Sequence, residues 1–243
     1  MLINFLPSIF RNINKFLRPK TICQFIIIGH SFKNKFLQIL FFSIRKSGDK
    51  VIVRVSNAGY SELLLAKEED IYPVPDGVGP IDAASIGIIY STAWDAVVNK
   101  ADVQAGQTVL VQGASGGVGI AAVQIAKAMG CRAVGIAGGA EKCRLVTEEF
   151  NFDACLDYKS GDLGGQIKDA APDGIDVYFD NVGGEMLDMV LALMNAKGRI
   201  PVCGVLSQYN AEDEYYGVTN TRLIFDKQLR LQGFLNSEFR DQW

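Results

Sequence analysis

The stretch Gly113-Ala114-Ser115-Gly116-Gly117-Val118-Gly119 constrains this chain more than any other. It lies between a β-branched run, Thr108 to Val111, and residues Gly119 to Met129, whose apolar positions recur at helical spacing and stop at Gly130. A glycine cluster alone also serves ordinary tight turns. Placed between a strand and a helix, it does more: Ala114, Gly116 and Gly119 fall on the small-residue positions of the dinucleotide fingerprint. There the chain must turn sharply, approach a pyrophosphate with no Cβ in the way, and let the helix pack on the sheet. The helix N-terminus then offers N–H groups and a partial positive charge to the phosphates.

The surrounding pattern extends this unit. Strands are expected at Arg132 to Ala137, Ala154 to Leu156, Ile175 to Phe179, Arg199 to Cys203 and Leu229 to Leu235. Helices are expected at Glu141 to Phe150, Leu163 to Ala170 and Glu185 to Met194. Such alternation specifies an α/β fold, a doubly wound parallel sheet of the Rossmann kind. Upstream, Lys50 to Val55 alternates as a strand and Ser61 to Leu65 is a second short apolar run. Tyr72-Pro73-Val74-Pro75-Asp76-Gly77 has the chemistry of a loop, Asp82 can cap a helix starting at Ala83, and Ser91 to Asp95 opens another.

Composition breaks near residue 47. Residues 1–46 carry eight Lys or Arg and no Asp or Glu, whereas the remainder has 16 basic against 27 acidic residues, a formal charge of −11. The first segment also holds eight of the fourteen phenylalanines and shows no sustained period. Three readings of it stand side by side: an organelle transit peptide, a segment that touches a membrane surface, and a non-native leader. Its apolar runs, Phe25 to Ile28 and Phe36 to Ile44, are too short to span a bilayer. Three domains are therefore expected: 1–47 unassigned, 48–91, and 92–243 as the nucleotide-binding domain.

A net charge of −3 supplies no basic field for a phosphate backbone, so nucleic acid is not expected as a partner. The five cysteines are odd in number with no CxxC pair, which suits a reducing compartment and no metal. His30 is the only histidine, which argues against a His-based zinc site and a Ser/His/Asp triad.

An NAD site places a carboxylate at the end of the second strand to bind the ribose hydroxyls. That place reads Gly138-Gly139-Ala140, followed by Glu141, Lys142 and Arg144. Cations beside a small-residue gap suit a ribose 2′-phosphate. Glu141 complicates the pattern, and Lys142 could also be a solvated first-turn residue.

Five strings together carry a resemblance: Val111 to Gly119, Glu141-Lys142-Cys143, Asp157-Tyr158-Lys159, Val177 to Glu185, and Cys203-Gly204-Val205-Leu206-Ser207-Gln208-Tyr209-Asn210. From about Gly48 to Trp243 the chain resembles the zinc-free medium-chain dehydrogenase/reductases, in particular the prostaglandin reductase, alkenal double-bond reductase and curcumin reductase group. The resemblance implies NADPH-dependent reduction of the carbon-carbon double bond of α,β-unsaturated ketones and aldehydes, with a small-molecule enone or enal as substrate. It makes residues 48–91 a remnant of a β-rich GroES-like substrate domain. It implies that Ser115, Gly116, Gly117 and Val118 hold the pyrophosphate and that Lys142 and Tyr158 bind the 2′-phosphate. Asn181, Val182, Cys203, Gly204, Tyr209, Phe234, Leu235 and Asn236 are assigned to the nicotinamide end, and Thr92 is counted among the cofactor-binding residues. As bland alternatives, Tyr158 could cover a sheet edge, Asn181 to Gly184 could be a plain turn, and Cys203 a small buried hydrophobe.

The chain also departs from the group. No counterpart of the family's N-terminal catalytic tyrosine occurs in residues 1–46, both flanks are expected to be missing, and Gly139 stands where a polar residue commonly precedes the Glu-Lys pair. Hydride addition to an enone leaves charge on its oxygen, which needs a donor. Tyr215, then Tyr209, are the candidates, in a loop after the fifth strand. This chain is expected to bind NADPH and to reduce enones slowly or not at all. Quinone reduction and an inactive NADPH-binding fragment are the alternative functions. The expected location is cytoplasmic, or mitochondrial if residues 1–46 are a transit peptide, with no membrane span and a homodimer left open.

Overall fold

The computed structural model describes residues 26–28, 38–40, 48–55, 61, 62, 64–210 and 216–236, with the backbone alone at 26–28 and 38–40. The chain divides into two compact units, residues 1–87 and 88–243.

In the first unit, β1 (Ile26–Ile28) and β2 (Gln38–Leu40) pair antiparallel, each inside one of the two apolar runs of the basic segment. A second antiparallel pair joins β3 (Val51–Val53) to β4 (Ile71–Pro73), and Val51, Ala66 and Ile71 bury a small core there. The expected loop at Tyr72-Pro73 is corrected: both residues belong to β4, and the turn begins after them. Pro73 is tolerated because it closes the strand of a two-stranded pair, where its missing N–H costs no ladder bond.

Helix α1 (Pro80–Trp94) runs on into a π-helical segment, Asp95–Lys100. Two expectations fail here. The helix starts at Pro80, whose absent N–H is harmless in the first turn, so Asp82 sits inside that turn and does not cap it. Ser91 does not open a new helix, because its hydroxyl bonds back to the carbonyl of Ile88 at 3.1 Å and no proline interrupts residues 83–91. By length and composition Pro80–Lys100 could cross a bilayer. Its later part nevertheless buries Ala93, Asp95, Ala96 and Val97 in the core of the α/β unit.

That unit is a six-stranded parallel sheet. In chain order its elements are β5 (Thr108–Gln112), α2 (Gly117–Ala128), β6 (Arg132–Ala137), α3 (Ala140–Phe150), β7 (Ala154–Asp157), α4 (Leu163–Ala170), β8 (Ile175–Phe179), α5 (Gly184–Leu193), β9 (Met194–Val202), α6 (Thr221–Asp226) and β10 (Arg230–Gly233). The spatial order is β10-β9-β8-β5-β6-β7, the doubly wound arrangement. Continuous apolar runs are what such a sheet requires, since both faces are covered. Along β5 and β8 alternate residues divide cleanly: Val109, Val111, Val177 and Phe179 enter one core with α2, while Leu110 and Tyr178 enter the other with α5.

Strand β9 begins five residues before its expected start. Asn195 donates to the Asp173 carbonyl at 3.0 Å and to Asp176 at 2.9 Å, and the Lys197 N–H donates to the Lys227 carbonyl at 2.7 Å. These tertiary bonds hold a stretch with little strand propensity in an irregular start to β9, where Lys197 has φ +62° and the register with β8 shifts between Met194 and Arg199. The helix expected to end at Met194 therefore stops at Leu193, where the Lys227 ammonium donates to the carbonyls of Leu191, Ala192 and Met194.

Candidate functional site

Strands β5 and β8 are neighbours, yet the chain leaves their C-terminal ends toward opposite faces of the sheet, to α2 and to α5. Such a switch point opens a crevice, and here it is a cleft of about 570 Å³. Its wall runs from Gly113 and Ser115 in the glycine loop, past Gly138, Lys142 and Tyr158, to Val182 through Met186 and Tyr216.

The glycine loop is pinned by its own backbone. Ala114 N–H donates to the Ile136 carbonyl at 3.0 Å and Gly116 N–H to the Gly113 carbonyl at 2.9 Å. A Cβ on Gly119 would stand 2.4 Å from the Gly113 carbonyl oxygen and 2.8 Å from Ala114 Cα, both backbone atoms, so this position admits no side chain. The tight turn leads from Ser115 in the cleft wall directly into the first turn of α2, whose leading N–H groups have no carbonyl one turn back.

At the tip of β6 the side chain that glycine lacks is replaced by an aromatic one. A Cβ on Gly138 would lie 2.8 Å from the Tyr158 hydroxyl oxygen. Tyr158 is half-exposed and lines the cleft with Lys142, and the Lys159 ammonium lies 6.0 Å from its ring centroid. The nearby carboxylate, Asp157, accepts the N–H groups of Gly139 and Lys159 at 2.8 and 2.9 Å on one oxygen, bonds that hold its carboxyl below the usual range.

On the other side, the fully buried Asp180 shapes the turn between β8 and α5. One carboxyl oxygen accepts the Val182 and Gly183 N–H groups at 3.0 and 2.8 Å, while the other is buried without a hydrogen-bond partner. Burial pushes the Asp180 carboxyl up, against the pull of those two N–H groups. The buried Tyr178 hydroxyl donates to Gln112, itself a residue of the cleft wall. The Cys203 N–H donates to the Asp180 carbonyl at 2.7 Å, and burial pushes the Cys203 thiol up to about 11.

The wall of the cleft thus brings together four of the expected residues, Ser115, Lys142, Tyr158 and Val182. Gly116, Gly117 and Val118 open the adjoining turn of α2. Asn181, Gly204 and the exposed Tyr209 form a second group: a Cβ on Gly204 would lie 2.8 Å from the Asn181 amide oxygen and 3.2 Å from the Tyr209 hydroxyl. In a third, the Asn236 amide donates to the Thr92 hydroxyl at 2.9 Å and to Ser91. Phe234 packs on the core that contains Val177 and Phe179, and Leu235 is exposed. Tyr215 lies outside the described residues, as do His30 and Cys23.

Tyr216 is not among the residues that the sequence assigns to the site, yet it lines the cleft beside Gln208. Its hydroxyl donates to Asp188 of α5 at 3.0 Å, and its carbonyl accepts the Gln208 amide at 3.1 Å. Asp188, itself buried, also accepts the N–H groups of Thr219 and Asn220 and the Thr219 hydroxyl at 2.6 Å. Burial would raise its pKa, but these bonds outweigh it and the carboxyl is held below the usual range.

The sequence pattern of the zinc-binding dehydrogenases matches residues 117–243, more than half of the chain. The chain belongs to that family. An NADPH-dependent curcumin reductase of Escherichia coli is 39% identical over 198 residues, 78% of this chain and 56% of the relative. A 2-alkenal reductase (NADP(+)-dependent) of Nicotiana tabacum is 45% identical over 151 residues, covering 62% of this chain and 44% of the relative. Among solved structures, CurA in complex with NADPH from Vibrio vulnificus superposes with a TM-score of 0.73 at 25% identity, over 91% of this chain and 74% of that one. The chain spans about half the length of the curated relatives it matches.

The family's name speaks of zinc. Among the described residues, no three His, Cys, Asp or Glu side chains gather into a metal-binding group; Cys143 and Cys155 touch each other, but no third such side chain joins them. The donor set for a zinc step is not on hand in these residues.

Proposed function

We propose that the chain binds NADPH along the C-terminal edge of its sheet, and that the protein reduces the carbon-carbon double bond of α,β-unsaturated ketones and aldehydes. The observation that carries this reading is the tip of β6. There Lys142 and Tyr158 flank Gly138 in the cleft wall, while the carboxylate at the end of β7, Asp157, is turned onto backbone N–H groups. A cation and a phenol beside a side-chain-free gap suit a ribose 2′-phosphate. The residues present fit the group: Gly116 carries no side chain at the turn where a pyrophosphate would lie, and the start of α2 adds N–H donors.

In this reading Ser115 to Val118 hold the pyrophosphate, and Lys142 and Tyr158 hold the 2′-phosphate. Asn181, Val182, Cys203, Gly204 and Tyr209, with Phe234, Leu235 and Asn236, surround the nicotinamide end, and Thr92 takes part in cofactor binding through its bond to Asn236. NADPH, when bound, supplies the hydride. The protein's part is to hold the enone over that end, and Tyr215 or Tyr209 donates a hydrogen bond to the carbonyl oxygen as charge gathers there. The names of the relatives, curcumin reductase and 2-alkenal reductase, support the same chemistry.

Two measurements test it. Nicotinamide fluorescence should give tighter binding of NADPH than NADH, and Lys142→Ala should erase most of the difference, about 1 to 3 kcal/mol for a charge-assisted bond. Whatever turnover of a simple alkenal this chain supports should yield the saturated aldehyde. Equal affinity for the two cofactors in the wild type, or an allylic alcohol as product, would overturn the assignment.

A further inference from the structure

Asp157 sits at the end of β7, in register with Ala137 at the end of β6. Its carboxylate does not face solvent as a free charge: one oxygen takes the N–H of Gly139 at 2.8 Å and that of Lys159 at 2.9 Å. These donors belong to two different strand ends. Gly139 is the residue before α3, with φ +102°, a conformation that a side chain would strain. Its carbonyl accepts the Cys143 N–H, so Gly139 also starts the hydrogen bonding of the turn that carries Lys142. Lys159 follows Tyr158, whose own N–H continues the ladder to the Ala137 carbonyl at 3.2 Å. The hydroxyl and N–H of Ser160 both donate to the Asp157 carbonyl, closing the turn beyond. One carboxylate oxygen thus cross-braces the two chain segments from which Lys142 and Tyr158 reach into the cleft.

We infer that Asp157 is a positioning residue for cofactor choice: by tying Gly139 to Lys159 it sets the spacing between Lys142 and Tyr158 that a 2′-phosphate needs. The inference rests on the proposed NADPH reading of the cleft. Two consequences follow from the geometry. The brace affects only contacts that the 2′-phosphate makes, so NADH, which lacks that group, is indifferent to it. The negative charge is also not what the brace requires. An acceptor oxygen suffices, because both donors are neutral N–H groups, and a neutral acceptor removes a repulsion toward the phosphate.

The test is the ratio of NADPH to NADH affinity, measured by fluorescence titration on the full 243-residue chain for the wild type, Asp157→Asn and Asp157→Ala. The wild type favours NADPH. Asp157→Asn keeps the acceptor and retains that preference or increases it, whereas Asp157→Ala lowers the ratio about tenfold, the size of one charge-assisted contact misplaced. Asp157→Ser provides a second truncation if the alanine chain does not purify folded, and the same loss of ratio is expected. A merely structural role would lower both affinities together. An Asp157→Ala or Asp157→Ser chain with the wild-type ratio, or an Asp157→Asn chain as unselective as alanine, overturns the inference while leaving the NADPH reading intact. A wild type with no preference overturns both.

Discussion

The Tyr216 hydroxyl donates to Asp188 at 3.0 Å, so a residue of the cleft wall hangs on a buried carboxylate of α5. Because hydrogen bonds from the 216–220 segment hold that carboxyl below its ordinary pKa, the attachment depends on pH. The folded pKa lies beneath the unfolded one. The stabilisation is therefore complete above the unfolded value, near 4, and is lost as pH falls through the lower folded value. Asp188→Asn has no such titration. The melting temperature of the wild type should exceed that of Asp188→Asn by a steady margin from about pH 8 to 5, and the margin should close below about pH 4. A margin unchanged down to about pH 3 would show that the charge of Asp188 contributes nothing.

How much of this is legible in the sequence? Strands that are buried on both faces announce themselves as mostly apolar, β-branched runs, and the pattern places Arg132–Ala137 and Ile175–Phe179 to the residue. It does not place the start of β9, because Asn195, Lys197 and Gly198 are poor strand formers, and Asn195 and Lys197 are held there by partners elsewhere in the fold. Helix α6 escapes the pattern for a related reason: six exposed or half-exposed residues leave little apolar period to read. At the site, Ser115, Lys142 and Tyr158 belong to local strings that carry their own chemistry. The Tyr216–Asp188 bond joins residues 28 positions apart, and nothing in either neighbourhood marks the other. Asp157 stands in a recognisable string, but which N–H groups it accepts depends on how β6 and β7 align.

The glycine loop separates folding from binding at two neighbouring positions. A methyl group on Gly119 would meet backbone atoms at 2.4 and 2.8 Å, whereas one on Gly116 would meet a single carbonyl oxygen at 3.3 Å. Gly119→Ala should destabilise the fold by about 1 to 3 kcal/mol, as overpacking against immovable atoms does. Gly116→Ala should melt close to the wild type yet lose most of its NADPH affinity, since on the proposed reading the methyl is added at the turn that holds the pyrophosphate. Calorimetric melting and fluorescence titration read the two effects, and the opposite assignment of effects to positions would refute this account of the loop.

Lys227 caps α5. Its ammonium donates to three carbonyls at 3.3, 2.7 and 2.8 Å, groups that would otherwise end the helix unsatisfied. Lys227→Met keeps the aliphatic stem and removes the donors. Urea denaturation should show a loss of about 1 to 2 kcal/mol, the size expected for a cation at a partly buried helix C-terminus. A loss below about 0.3 kcal/mol would mean that solvent satisfies these carbonyls equally well.

Gly138 and Tyr158 should behave as one unit. A Cβ on Gly138 would stand 2.8 Å from the Tyr158 hydroxyl oxygen and 2.9 Å from two ring carbons, so Gly138→Ala must push the ring aside. Tyr158 is 49% exposed and has room to swing outward, so the push should cost little stability. The φ of Gly138 is not positive, and alanine adds no backbone strain there. What changes is the place of the phenol beside Lys142. Gly138→Ala should therefore weaken NADPH about three- to tenfold while NADH affinity moves much less, as loss of one hydrogen bond to a charged group predicts. Tyr158→Ala should give a similar loss, and the double variant should be no worse than the more affected single one. Residues acting through the same contact are non-additive in this way. Losses that simply multiply in the double variant would mean that Gly138 serves the cofactor directly and that the packing of Tyr158 over it plays no part.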